Sequence, residues 1–551
     1  MSLSALRLLS AASLAAGVLV VAPADAGPVP EGATWSEAYI TSRDGTKLHA
    51  DVLLPENRKS NTRHPVILSI GPYYGSGSQG FPAYDPMGKG PSDRFNDLIE
   101  EGRIFQKGYA LVLVDSRGYG SSGGCNDLGG PGEQSDAKAA VEWAATQPFS
   151  TGKVGMWGKS YDGWTQVMAL AGKPKGLAAT VIQAPLIEGY RGFFENGVHY
   201  DALWYATPGL YAGYDLTPPT ANDDPQEFVH ALTGTATKPD CYAANAAGPV
   251  NPDPSAAYWK ARNIIKKAGE STVPTLWSHG FNDVNTKPTN VFPVYSALKG
   301  PKRAWFGQWD HIRGNQADLV GRDGFMAEAM NWLDHWLKGL PLKKAPAVEI
   351  QDGDGAWRAE KAWPPADVVM RSMTLRPGSW TDEAGNSAAS PEGGTWSVSQ
   401  PAPHDVRLAG LLRLTAQVAV QNPAGGNLVA LVYDVDADGE SRLISRGASA
   451  VNSAQDGVSF DLWPQDWLLP KGHRIAVQLS ADDALMYQPT YKGGTVTLQS
   501  GELLLPIPRR ARTSNLAGDE AAAAANNPTP TLTTQLDGRE TKADFGPRPT
   551  R

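Results

Sequence analysis

The stretch Val154-Gly-Met-Trp-Gly158-Lys159-Ser160-Tyr161-Asp162-Gly163 decides how this chain is read. Residues 153–157 have the apolar, β-prone character of a strand, and 161–171 have the spacing of a helix. Between them Ser160 stands in a turn whose small neighbours leave room for a tight backbone. A serine at such a strand-to-helix corner presents its Oγ beside the helix N-terminus, where backbone N–H groups favour developing negative charge. This is the setting of a nucleophile elbow. The second glycine falls one place late, giving Gly-x-Ser-x-x-Gly. The competing reading of Ser160 is an ordinary helix-capping serine.

Outward from that corner, strand-like runs alternate with helical patterns from about residue 36 to 339. Strands are expected at 47–54, 65–70, 110–114, 177–182, 273–277 and 303–306, and helices at 134–146 and 325–337. The run Ala110-Leu-Val-Leu-Val114 is apolar throughout, as a strand buried on both faces should be. Such alternation builds a mostly parallel sheet with right-handed crossovers. With the elbow, it predicts an α/β-hydrolase domain. Residues 187–268 break the pattern and are rich in aromatics: Tyr190, Phe193, Phe194, Tyr200, Trp204, Tyr205, Tyr211 and Tyr214. They are expected to form a helical cap inserted over the sheet. From 345 to 510 short alternating runs separated by Gly, Pro, Asn and Asp predict a β-sandwich. The expected division is therefore 27–186 and 269–344 for the hydrolase domain, 187–268 for the cap, and 345–510 for the sandwich. A mobile tail is expected at 511–551, where large apolar residues are scarce.

A serine nucleophile needs a base, and in this fold the chain order is serine, acid, histidine. His311 follows the strand 303–306 through Gly307-Gln-Trp-Asp310, where a base should emerge. His335 falls inside a helix, and His404 and His473 fall in the β-rich part. The acid is expected after the strand 273–277, in Ser278-His-Gly-Phe-Asn-Asp283, which makes Asp283 the candidate. Asp310 competes, but a residue adjacent to the histidine is poorly placed to reach its Nδ1. Two donors should hold an oxyanion: the Tyr161 N–H and, from Ile70-Gly-Pro-Tyr-Tyr-Gly75, the Tyr73 hydroxyl. Tyr74 in that role, or Tyr73 as simple core packing, are the alternatives.

Composition sets the bounds. The chain has 551 residues, 41% hydrophobic and 19% charged, a globular balance with material for a large core. A net charge of −8 provides no basic field for nucleic acid. Arg7, the uncharged run 8–24 and Ala24-Asp25-Ala26 read as a secretory signal cleaved after Ala26, so the protein is expected to be secreted and free of the membrane. An uncleaved anchor is the other reading of that segment. Cys125 and Cys241 are the two cysteines; export would permit a disulfide between them, and otherwise they are buried thiols. No Cys/His cluster points to a metal, and no cofactor is expected. Nothing in the sequence speaks to oligomeric state.

Taken together, these motifs resemble the X-Pro dipeptidyl-peptidase family and its cocaine-esterase-like relatives, over about residues 41–507. The matching stretches are Gly71-Pro-Tyr-Tyr, Asp115-Ser-Arg-Gly-Tyr-Gly-x-Ser-x-Gly, Gly152-Lys-Val-Gly-Met-Trp-Gly-Lys-Ser-Tyr, His279-Gly-Phe-Asn-Asp-Val-Asn-Thr-Lys-Pro288, Trp309-Asp-His311 and Trp332-Leu-Asp-His-Trp-Leu-Lys-Gly339. The resemblance implies an α/β-hydrolase domain, a helical cap and a C-terminal jelly-roll. It also implies a serine exopeptidase that releases Xaa-Pro dipeptides from peptides with proline second from the N-terminus. Asn285 then maps onto a substrate-contacting position. Glu195, in Glu195-Asn-Gly197, maps onto a contact for the substrate's α-ammonium, against the plainer reading of a solvated helix carboxylate. Asp162 replaces a more usual apolar residue, where it either adds charge near the amine or caps the helix. The alternative function is a secreted esterase or amidase acting on small acyl or amino-acid esters. A non-catalytic carbohydrate-binding role would leave the serine, histidine and aspartate unexplained.

Overall fold

The computed structural model describes residues 29–56, 59, 61–74, 90–200, 239–382, 394–421, 425–453, 457–483, 486–487, 489–490, 493–518 and 538–550. The expected signal segment lies outside them, as do Trp204, Tyr205, Tyr211 and Tyr214 of the expected cap.

The first domain is built on a ten-stranded sheet. Its strands are β1 (Ala33–Thr41), β2 (Lys47–Pro55), β3 (His64–Gly71), β4 (Ala110–Asp115), β5 (Ser150–Ser160) and β6 (Leu177–Pro185). A small hairpin, β7 (Phe194–Glu195) and β8 (Val198–His199), stands apart. The sheet resumes with β9 (Thr275–Gly280), β10 (Lys302–Gly307), β11 (Val348–Gln351) and β12 (Trp357–Glu360). The order is β1-β2-β4-β3-β5-β6-β9-β10-β11-β12. From β4 across to β11 every pairing is parallel.

Parallel strands are covered on both faces, and the residues show it. In β3 and β4, Val66, Leu68, Val112 and Val114 enter one core, while Ile67, Leu111 and Leu113 enter another. Helices Pro131–Thr146 and Tyr161–Gly172 close the first face through Ala137, Val141, Val167 and Leu170. Phe325–Lys338 closes the second through Met326, Met330, Leu333 and Leu337. The chain leaves β3 for β4 on one side and returns to β5 on the other. The crevice beyond the carboxyl ends of β3 and β5 is thus a topological switch point, where open α/β sheets bind ligands.

The second domain is the expected β-sandwich. Its strands are β13 (Val368–Leu375), β14 (Gly378–Thr381), β15 (Thr395–Ser399), β16 (Val406–Val420), β17 (Gly426–Val435), β18 (Ser441–Val451), β19 (Gly457–Leu469), β20 (Arg474–Ser480), β21 (Thr495–Pro508) and β22 (Glu540–Thr541). One sheet runs β13-β21-β16-β19 with β14 on β21, the other β18-β17-β20-β15-β22. Leu408, Leu414 and Val418 of the first sheet share a core with Leu428, Val432 and Val477 of the second.

Two expectations change. The first sheet does not end near residue 344: β11 pairs in parallel with β10, Ala304 opposite Val348, and β12 folds back on β11. These short strands look like sandwich strands in sequence, but their register belongs to the hydrolase sheet. Nor is all of 511–551 a loose tail. β22 pairs with β15, and Ala543 and Phe545 are buried in the sandwich core. One aromatic ring with a few backbone hydrogen bonds anchors a segment that its composition marked as mobile.

Cys125 and Cys241 form a disulfide across a sequence separation of 116, tying the loop after β4 to the helix Pro239–Ala247. Closing so long a loop restricts the unfolded chain strongly. Replacing both cysteines with serine is expected to cost about 2–4 kcal/mol. Denaturant unfolding checks it, and an unchanged midpoint would contradict it.

Candidate active site

Ser160 ends β5 and takes φ +67°, ψ −122°, a backbone conformation that non-glycine residues seldom adopt. Its neighbours explain how that is possible. A Cβ on Gly158 would lie 2.3 Å from the Asp162 Cβ, so only glycine fits. A Cβ on Gly163 would lie 2.9 Å from both the Gln183 carbonyl oxygen and the Pro185 Cβ. The late second glycine therefore lets the helix head approach β6. Ser160 is 7% exposed, in a corner rather than on an open surface.

Asp283 and His311 come from the loops after β9 and β10. The two loops are laced together: Phe281 N donates to the Gly307 carbonyl at 2.6 Å and Asn282 N to the Trp309 carbonyl at 3.2 Å. A Cβ on Gly280 would fall 1.9 Å from the Trp309 oxygen, so this closeness also requires glycine. His311 Nδ1 lies 2.9 Å from Asp283 Oδ2. Asp283 is fully buried and accepts further bonds from Asn285 N (2.9 Å), Thr286 N (2.7 Å) and Thr286 Oγ1 (2.8 Å). Burial works against the carboxylate, but His311 and these donors outweigh it and hold its pKa below the usual range. Asp310, the competing acid, spends Oδ1 on the backbone N–H groups of Val284 (3.0 Å) and His311 (2.7 Å). The Lys159 ammonium donates to the His311 carbonyl at 3.1 Å, which joins the elbow directly to the histidine loop. Ser160, Asp283 and His311 thus share the carboxyl edge of one parallel sheet. His335 stays on its helix with Nδ1 on the Leu340 carbonyl, and His473 faces Asp434 in the sandwich.

Tyr161 opens the helix after the elbow, the position from which an N–H can meet a developing oxyanion. Its ring is occupied elsewhere, with the hydroxyl 2.7 Å from Glu133 Oε1. Tyr73 follows β3 on the adjacent strand and is half-buried, with the Arg94 guanidinium 3.8 Å over its ring. Tyr74 is 1% exposed and its hydroxyl, 2.8 Å from Ser69 Oγ, is already engaged inside the core.

A match to known families completes this picture. Residues 44–313 match the family model for X-Pro dipeptidyl-peptidase (S15 family), and residues 342–526 match the X-Pro dipeptidyl-peptidase C-terminal non-catalytic domain. The chain belongs to the X-Pro dipeptidyl-peptidase (S15) family. It is an enzyme, a serine hydrolase. A Streptomyces avermitilis protein named "Putative Xaa-Pro dipeptidyl-peptidase" is 24% identical over 94% of this chain and 89% of its own. Among solved structures, an aminopeptidase from a marine-sediment Thaumarchaeota archaeon superposes with TM-score 0.67 at 17% identity, covering 88% of this chain and 99% of its own. An α-amino acid ester hydrolase does so with TM-score 0.65 at 20% identity, covering 89% and 98%. The likeness to these two is one of fold.

Glu195 is no solvated helix carboxylate. It lies in the β7–β8 hairpin, 8% exposed, and accepts from the Tyr487 hydroxyl at 2.6 Å, with the Lys287 ammonium at 3.7 Å. Its Oε1 is buried without a hydrogen-bond partner among the described residues. Glu195 lines a cavity of about 710 Å³ between cap and sandwich, whose lining includes Trp259, Lys287 and Arg413 but none of Ser160, Asp283 and His311. Asn285 is exposed beside the Asp283 turn. Asp162, in the first turn of the helix, is fully buried and pairs with Arg94 at 2.6 Å.

Two supporting residues were not anticipated. Thr286 clasps Asp283 through N–H and hydroxyl, an Asp-x-x-Thr turn that the spacing alone could have revealed. His279 lies 3.6 Å from Asp283 Oδ2 with Nε2 2.8 Å from the Thr286 carbonyl; burial pushes its pKa down to about 4, so it is neutral near pH 7. Among the described residues, Glu37, His49 and Asp51 lie close enough to share a metal ion. They stand on β1 and β2, and His49 already spends both ring nitrogens on Asp115 (3.0 Å) and Glu37 (3.2 Å).

Proposed function

We propose that this S15-family hydrolase is a secreted exopeptidase that releases Xaa-Pro dipeptides from peptide N-termini through an acyl-enzyme. The observation that supports it most is the Asp283–His311 hydrogen bond, at the same sheet edge where Ser160 is held at positive φ. Ser160 Oγ attacks the carbonyl after proline while His311 takes its proton; Asp283 fixes the imidazole tautomer and steadies the imidazolium. The Tyr161 N–H and the Tyr73 hydroxyl stabilise the oxyanion. His311 then protonates the leaving amine, and water hydrolyses the ester. Glu195, with one oxygen that has no hydrogen-bond partner among the described residues, is the proposed contact for the substrate's α-ammonium, and Asn285 a proposed substrate contact. Secretion is supported by the signal-like residues 1–26 and by the Cys125–Cys241 disulfide, which suits an oxidising compartment.

Turnover of Ala-Pro-p-nitroanilide, its N-acetylated form and p-nitrophenyl butyrate tests the substrate. The free-amine dipeptide should be turned over fastest, and acetylation should abolish most of that preference. Equal or better turnover of the butyrate would replace the peptidase with an esterase carrying the same three residues.

A further inference from the structure

The two oxyanion donors proposed above come from different segments, the loop after β3 and the helix after β5. The Arg94 side chain touches both segments. The Arg94 guanidinium lies 3.8 Å over the Tyr73 ring. Its Nε donates to Asp162 Oδ2 at 2.6 Å, and a terminal nitrogen reaches the Lys159 carbonyl at 3.4 Å. Lys159 and Asp162 bracket Ser160 and Tyr161 in sequence. The backbone is shaped for this contact: a Cβ on Gly71, at the end of β3, would fall 1.9 Å from Asp162 Oδ1. The Arg94 carbonyl in turn accepts from Arg313, two residues beyond His311, at 2.8 Å.

We infer that Arg94 is a positioning residue of the oxyanion site, bracing the Tyr73 hydroxyl against the Tyr161 N–H through the Asp162 carboxylate. The inference rests on the serine-hydrolase mechanism proposed above. A planar guanidinium can stack on a ring and fork to two oxygens at once, which an ammonium cannot. A cation over the ring face also favours negative charge moving toward the phenol as it donates to the oxyanion. Asp162, the residue that departs from the usual apolar one, is on this account the anchor of the brace. The plainer role for Arg94 is neutralising Asp162, which would affect folding but not turnover per active site.

A kinetic double-mutant cycle separates the two. Activity on Ala-Pro-p-nitroanilide is measured for Tyr73→Phe, Arg94→Gln and the pair, with kcat normalised to sites labelled at endpoint by a fluorophosphonate. Tyr73→Phe should lower kcat by about 100-fold. Arg94→Gln should lower kcat by roughly 10- to 100-fold with Tyr73 present, but by less than about twofold in the Tyr73→Phe background. KM should change little, and Arg94→Lys should restore only part of the loss. An equal loss in both backgrounds, a loss confined to KM, no loss, or an inert Tyr73→Phe would each overturn the inference. Should Arg94→Gln fail to fold, Arg94→Gln/Asp162→Asn removes both charges and enters the same cycle. Ser160→Ala is run alongside. If it is inactive while the Arg94 effect proves independent of Tyr73, the brace fails and the mechanism stands; if it keeps activity, the mechanism fails and the brace with it.

Discussion

Replacing Ser160 with alanine is expected to lower kcat by about 10⁵- to 10⁶-fold and to abolish fluorophosphonate labelling, with folding intact by circular dichroism. The size follows from the mechanism. Without the hydroxyl no acyl-enzyme forms, and what remains is binding plus the oxyanion donors acting on water. Folding should survive because the elbow is built by its neighbours. Gly158 and Gly163 make room for the turn, and the helix Tyr161–Gly172 is held by Trp164, Val167 and Leu170 in the core. Ser160→Gly is the informative companion. It loses the same activity, but at φ +67° glycine pays no steric penalty, so its stability should equal or exceed that of the parent. Turnover by either variant within tenfold of the parent would be incompatible with Ser160 as the nucleophile.

Changing Asp283 to asparagine should lower kcat by about 10⁴-fold while leaving KM nearly unchanged. The carboxylate oxygen that faces His311 Nδ1 at 2.9 Å fixes a proton on that nitrogen and leaves Nε2 free as the base. An amide can present its N–H₂ group there and favour the opposite tautomer. The Asn285 and Thr286 N–H groups bond the other oxygen and can still meet the amide oxygen, while the Thr286 hydroxyl can accept from the amide N–H₂, so the loop should keep its shape. Stability has its own pH signature. The folded pKa of Asp283 is depressed, so its contribution is fully present above the unfolded value of about 3.9 and is lost as pH falls through the folded value. The variant should therefore be less stable than the parent at neutral pH, with the gap closing in strong acid. A full-activity variant would move the acid's role to Asp310, whose hydrogen bonds to Val284 and His311 backbone argue against it.

Local patterns in the chain already marked the elbow, the strand 110–114, and the loops holding Asp283 and His311. They could do so because each is a short-range rule: an apolar run for a doubly covered strand, small residues for a strained turn, a loop directly after a strand for Asp283 and for His311. The boundary near 345 misled because β11 and β12 are too short to declare which sheet they join; hydrogen-bond register with β10 decides that, and register is a long-range property. The C-terminal segment misled because burying one phenylalanine in the sandwich leaves almost no compositional trace.

By itself, then, the sequence determined the α/β alternation, the sandwich that follows it, and the identity of the three residues at the sheet edge. Only the tertiary structure decided that the Cys125 and Cys241 thiols meet, that Glu195 is buried on the wall of a cavity between cap and sandwich, and that Asp162 pairs with Arg94. The reason is the same in each case. A buried charge or thiol takes its role from whatever the fold places within a few ångströms of it, and those partners lie dozens of residues or more away along the chain.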